Sequence, residues 1–116
     1  MSRPHEKLDA WRQAMRLVKA TYLITREFPS DERYGLIAQM RRAAVSIPSN
    51  LAEGAARATR KEFAQFISIS KGSLSELETQ TIIAAELGYL SPQHELFLQL
   101  DRLGQLLTGL HRSIAR

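Results

Sequence analysis

Apolar residues recur at spacings of three and four along almost the whole chain, and this pattern confines the fold to α-helices packed side by side. No segment sustains the alternation of period two that a half-buried strand requires. Leu8, Trp11, Met15, Val18 and Tyr22 form the first stripe, which predicts a helix from roughly Glu6 to Phe28. That helix ends at Phe28-Pro29, because proline disfavours α geometry in the residue before it. Pro29-Ser30-Asp31-Glu32 then reads as a polar turn. The second stripe is Ile37, Met40, Ala44, Ile47 and Leu51, in a helix that starts near Asp31 to Arg33 and frays near Ala55 to Ala58. Pro48 lies inside this stripe. It cannot donate to the Ala44 carbonyl and its ring presses on it, so the helix either kinks or breaks. The stripe keeps its phase across the proline, which favours a kinked, continuous helix.

Thr59-Arg60-Lys61-Glu62 matches a capping box and predicts the start of the third helix. Its seam is Phe63, Ile67, Ser70, Leu74, Leu77, Thr81 and Ala84, and Gly88 supplies a left-handed stop. Ser91-Pro92 reads as N-cap and first residue of a fourth helix with the seam Leu96, Leu100, Leu103, Leu107, Leu110 and Ile114. Short connections force neighbouring helices to be antiparallel. The expectation is therefore an all-α, antiparallel up-down-up-down four-helix bundle, with residues 1–116 as a single domain.

Several classes drop out. There is no run of 18 apolar residues to span a membrane. Met1-Ser2-Arg3-Pro4-His5-Glu6 carries no apolar signal core, which argues against secretion. Cysteine is absent, which removes disulfides, thiolate catalysis and Cys-ligated zinc and fits a cytoplasmic address. His5, His94 and His111 stand apart and read as surface residues, and no Glu has a His three positions later, so no di-iron motif is present. There is no phosphate-binding glycine loop and no nucleophile elbow. Glu76 and Glu78 are two apart and do not share a helix face, a poor catalytic dyad. The expectation is a non-enzymatic protein without cofactor or metal.

Two features exceed what a small bundle needs. The first is apolar surface beyond one seam per helix: Leu17, Leu23 and Ile24; Phe66, Ile69, Ile82 and Ile83; Phe97, Leu98 and Leu106. Either the core stripes are wide, or copies of the chain associate. Gly72, Gly104 and Gly109 fall inside helices, where they serve close helix approach or are simply tolerated. The second feature is charge. The formal net charge is +4, yet residues 33–72 carry a net +5 and residues 73–101 a net −5. Internal pairing and a polyanion surface both account for such segregation. In an up-down-up-down bundle, one end gathers residues 1–9, 53–62 and 110–116. There Arg3, Lys7, Arg57, Arg60, Lys61, Arg112 and Arg116 outnumber Glu6, Asp9, Glu53 and Glu62. The opposite end gathers Glu27, Asp31, Glu32, Glu86 and Glu95 against Arg26 and Arg33. A phosphate backbone would dock on the first end without base reading, with Arg3, Lys7, Arg57, Arg60, Lys61 and Arg112 as candidate contacts. Alternatively these bases pair with acids of a neighbouring subunit. Across the second and third helices, Arg41 falls opposite Glu76, and Arg42 near Glu76 and Glu78, which predicts a structural ion pair. Ser46, Ser49, Asn50 and Glu53 share one side of the second helix, and a polar binding surface there is the rival reading.

Ile37 to Glu53 reads IAQMRRAAVSIPSNLAE and is followed by Gly54; Lys61 to Gln80 reads KEFAQFISISKGSLSELETQ, and Glu86 to Ser91 reads ELGYLS. With Trp11 and the Phe28-Pro29 turn, these segments resemble the bacterial four-helix-bundle proteins first noticed as reading frames in intervening sequences of 23S ribosomal RNA genes. The resemblance covers nearly the whole chain; Ala55-Ala56 departs from the bulkier or glycine-containing stretch common in relatives. It implies a four-helix bundle that assembles into five-membered rings. One branch of the family serves as accessory protein to the reverse transcriptase of diversity-generating retroelements, binding enzyme and nucleic acid. Most other members have no assigned activity; the basic end and the lack of a base-reading motif make sequence-tolerant binding of RNA or DNA by a homo-oligomer the expected function. The alternative is a structural or protein-interaction scaffold with no nucleic-acid role.

Overall fold

The computed structural model describes residues 3–116, so the Met1-Ser2 part of the N-terminal reading lies outside it. Among the described residues there are four long helices: α1 (Asp9–Thr25), α2 (Leu36–Ala55), α3 (Arg60–Glu86) and α4 (Leu96–Ala115). Short 3-10 turns at Pro4–Lys7 and Ser30–Glu32 precede α1 and α2. Among the described residues no helix is long and apolar enough to cross a membrane.

Each helix packs on its chain neighbours, and α4 closes on α1. The direction of each pair is readable from single contacts. Ser70 of α3 donates to the Ile47 carbonyl of α2 at 2.9 Å, and Gly54 near the end of α2 meets Phe63 and Phe66 near the start of α3. Arg41, early in α2, reaches Thr25 and Tyr22 at the end of α1, while Arg60 at the start of α3 reaches Ser113 and Ile114 at the end of α4. All three pairs are antiparallel, as short connections require.

The seams of α2, α3 and α4 follow their predicted periodicity, except that Phe63, Leu110 and Ile114 at the basic end are only half-buried. Ile37, Met40, Ala44, Ile47 and Leu51 are buried, as are Ile67, Ser70, Leu74, Leu77, Thr81 and Ala84, and Leu96, Leu100, Leu103 and Leu107. α2 runs without interruption through Pro48, which is itself buried. Thr59 caps α3 by accepting from the Glu62 amide at 3.1 Å. The Glu62 carboxylate accepts from the Thr59 hydroxyl, at 3.0 Å. Gly88, at φ 80°, ends α3 in a Schellman arrangement: the Tyr89 amide bonds the Ala84 carbonyl and the Gly88 amide bonds that of Ala85.

α1 departs from expectation. It starts at Asp9, and its buried face is Ala10, Gln13, Ala14, Leu17, Thr21 and Thr25. The predicted stripe faces sideways: Met15 and Tyr22 are exposed, and Trp11, Met15 and Val18 line a shallow apolar groove with Val45, Pro48 and Ala52 of α2. The reason is that two buried threonines are satisfied by their own helix. Thr21 donates to the Leu17 carbonyl at 2.7 Å and Thr25 to that of Thr21 at 2.8 Å, leaving their methyl groups to pack. Leu17, expected beside the stripe, is fully buried.

Two helix starts also lie later than the sequence predicts. α2 begins at Leu36 because Glu32 bonds the Leu36 amide with its side chain, at 3.3 Å, and the Gly35 amide with its carbonyl, at 3.1 Å. α4 begins at Leu96: the Ser91 hydroxyl accepts from the Gln93 amide within a turn, and His94 Nδ1 accepts from the Leu96 amide at 3.0 Å.

The expected Arg41 or Arg42 pair with Glu76 or Glu78 is not formed. Arg41 Nε donates to Thr25 Oγ1 at 2.9 Å and its guanidinium lies 4.5 Å from the Tyr22 ring centroid. A cation there also meets the negative end of the α1 dipole. Arg42 and Glu76 line one groove without an ion pair, and Glu78 lines the α3–α4 cleft instead. The register is as expected; the direction in which each side chain leaves its helix is not.

The acidic end is stapled. Tyr89, after α3, donates to Glu32 Oε2 at 2.9 Å, and its ring lies 5.2 Å from that of Phe28. The bond to Glu32 raises the Tyr89 pKa above the ordinary 10, and desolvation and the charges of Glu32 and Asp31 add to the rise. A raised native pKa contributes stability that is complete below the unfolded value and is lost as pH climbs through the native one. Thermal melts above about pH 10 should therefore decline more steeply for the parent protein than for Tyr89→Phe. Parallel declines would show that the bond carries no such linkage.

Candidate nucleic-acid interface

The end opposite Tyr89 is built by the α2–α3 turn, the close of α4 and the N-terminal 3-10 turn. Arg60 and Lys61 occupy the first turn of α3, where the helix dipole disfavours cations. The neighbouring α4 runs the other way, so its carbonyl end compensates. Arg60 Nη2 donates to the Ser113 carbonyl at 2.7 Å and Nε to that of Ile114 at 3.2 Å. Arg57 is engaged differently. It bridges Glu53 at 2.8 Å and lies 4.9 Å over the Phe66 ring. These two arginines are therefore structural first.

The remaining cations sort by side of the bundle. Arg3 precedes and Lys7 closes the 3-10 turn Pro4–Lys7, which packs on α1 and α2. His5 of that turn lies 5.0 Å from Trp11, ring to ring. Arg60, Lys61 and Arg112 lie on the α3–α4 side. The six expected contacts thus do not converge on one patch. What converges is a cleft of about 370 Å³ between the start of α3 and the close of α4, lined by Arg60, Lys61, Gln65, Ser68, His111 and Arg116. Every charged residue on it is basic. A second cleft of about 610 Å³ lies between the same helices, with Lys71 and Arg112 on its lining. Glu78 and Asp101 also line this second cleft. Among the described residues none of Lys61, Lys71, Arg112 and Arg116 is in an ion pair; the two ion pairs are Arg12–Asp9 and Arg57–Glu53.

Sequence reasoning did not single out Lys71, and it read His111 as an isolated surface residue, whereas His111 is half-buried in the cleft. Their helical phase relative to Lys61 and Arg116 could have suggested a shared groove once α3 and α4 were known to be adjacent. Among the described residues no three His, Asp or Glu side chains gather as a metal-binding set.

The sequence model of the family described as 23S rRNA-intervening sequence protein matches residues 6–109, nearly the whole bundle. The chain belongs to this family. The match runs from the first 3-10 turn into α4 as far as Gly109, so it takes in the α3 wall of the clefts but leaves out His111, Arg112, Ile114, Ala115 and Arg116 of the α4 wall. No individually curated protein matches the chain.

Proposed function

We propose that this protein is a non-enzymatic, cytoplasmic homo-oligomer that binds nucleic acid, RNA foremost, through the basic end of its bundle without reading base sequence. The observation that carries this reading is the cleft lined by Lys61 and Arg116, unpaired among the described residues, with Arg60 beside them and no Asp or Glu. The family's description names 23S rRNA, which is why RNA is put foremost. Self-association is supported by apolar side chains left in solvent, among them Ile69, Ile82, Ile83, Leu87 and Leu98. The resemblance to ring-forming relatives makes five the expected number of copies. In a cyclic ring all basic ends point the same way, so their fields add. A scaffold without nucleic acid remains the second reading, favoured by the same exposed apolar surface.

Fluorescence anisotropy with two unrelated RNA 20-mers at 50 and 200 mM salt tests the reading. Binding should weaken steeply with salt and differ little between the sequences. Lys61→Glu with Arg116→Glu should lower affinity at least about tenfold, with the mass by light scattering unchanged. Arg57 and Arg60 are unsuitable probes, because reversing them also breaks a bridge to Glu53 and the α4 cap. No salt-dependent binding at 50 mM would leave the scaffold; a 13.1 kDa species in scattering would remove the oligomer.

A further inference from the structure

We infer that the α3–α4 groove is the track of a single polynucleotide strand, entering at Lys61 and Arg116 and ending near Glu78 and Asp101. This rests on the nucleic-acid reading above and narrows it to one strand, one groove and one direction of decline in charge.

The two clefts share both walls. Lys61, Gln65, Ser68, Lys71 and Ser75 succeed one another on α3, while Arg116, Arg112, Thr108 and Gly104 do so in reverse on α4. At 1.5 Å per residue, Lys61 and Lys71 are about 15 Å apart along α3. Four cations without ion-pair partners among the described residues therefore flank one line: Lys61, Arg116, Arg112 and Lys71. Between them the polar side chains are uncharged hydroxyls and amides, which donate to phosphate oxygens without adding charge. Beyond Lys71 the sign reverses, since Glu78 and Asp101 face each other across the cleft. A phosphate backbone gains nothing by continuing.

Shape selects one strand over two. Packed helix axes are about 8–10 Å apart, so the furrow between them admits a single backbone. A duplex is a rigid rod that would ride over the rims and contact only the exposed Lys61, Arg112 and Arg116. Lys71 and His111 are half-buried, recessed where a lone strand descends and a rod does not. No Phe, Tyr or Trp lines either cleft, so bases would face outward, unstacked by the protein and unread.

The test uses the full-length protein in its native assembly and four labelled probes: a 15-mer of rU, a 15-mer of dT, and 15-base-pair RNA and DNA duplexes. Single strands should bind at least about tenfold tighter than duplexes. The slope of log affinity against log salt should be about −3 per subunit, for four cations at −0.7 each. Lys71→Glu with Arg112→Glu should halve that slope. Glu78→Lys, which extends the basic lining and fills no core position, should tighten binding several-fold. Equal rU and dT affinities assign recognition to phosphate, and preference for rU assigns a further contact to the 2′-hydroxyl; both keep the track. If Lys71→Glu with Arg112→Glu binds as the parent does while Lys61→Glu with Arg116→Glu fails, the groove is wrong and binding at the end stands. Tighter binding of duplexes likewise overturns the single-strand track. No binding of any probe at 50 mM salt removes both this inference and the nucleic-acid reading.

Discussion

Gly54→Ala should destabilise the bundle by about 2 kcal/mol or more, although alanine is the better helix former by about 1 kcal/mol. A Cβ on Gly54 would lie 2.6 Å from the Phe66 Cβ and 3.0 Å from Phe63 Cδ1. The Phe66 Cβ is fixed to the α3 backbone and cannot rotate away, so α2 and α3 must separate. Separation loosens the contact that also holds the Ser70–Ile47 hydrogen bond. For a domain of this size the melting temperature should fall by about 6–10 °C. Gly72→Ala is the control: nothing lies within 4 Å of the added carbon, so only the helix propensity changes and stability should rise by up to about 1 kcal/mol. The same chemical change is thus expected to act with opposite sign at two positions of one bundle. Calorimetric melts of both variants decide it; equal shifts would mean that α2 and α3 are not in close contact at Gly54.

Leu77→Ala should cost about 3–5 kcal/mol. Leu77 is fully buried in the middle of the α3 seam, where neighbours on both sides are held by their own helices and cannot collapse into the void. That loss is a large share of the stability of an ordinary domain, about 5–15 kcal/mol, and urea titration should show it as a lowered midpoint. Leu98→Asp makes the contrast. Leu98 is 71% exposed, so the helices should form as before and far-ultraviolet circular dichroism should be unchanged. If the exposed Leu98 side chain helps hold copies together, the mass by light scattering should fall. An unchanged mass would exclude Leu98 from the contact between copies.

How much of this was legible beforehand differs by element. Repetition at three and four along α2, α3 and α4 selects the buried face, because only one face of a rigid helix can meet a neighbour. Thr59 and Gly88 mark the ends of α3 through bonds made within a few residues, so local chemistry suffices there. Helix order and antiparallel direction follow from connections too short to permit anything else. The two ends of opposite charge follow from the same arithmetic.

The rest depended on azimuth, the direction in which each side chain leaves its helix once four helices have settled together. Thr21 and Thr25 enter the core only because their hydroxyls can bond backward along α1, which allows the smaller face of α1, rather than the Trp11–Met15 stripe, to approach the bundle. Arg41 stands at the height of Glu76 yet turns towards the end of α1, where Thr25 and carbonyl groups await a cation. Arg60 caps a helix end 53 residues further along the chain, and so leaves the set of cations open to a ligand. Lys71 joins that set, beside the already expected Arg112, because α3 and α4 are neighbours. Sequence alone determined which segments are helical, where most of them stop, and which faces of α2, α3 and α4 are buried, since these depend on bonds and spacing within one segment. Only the tertiary structure decided which charges are paired and which remain available, because that is a property of distances between segments that no local pattern encodes.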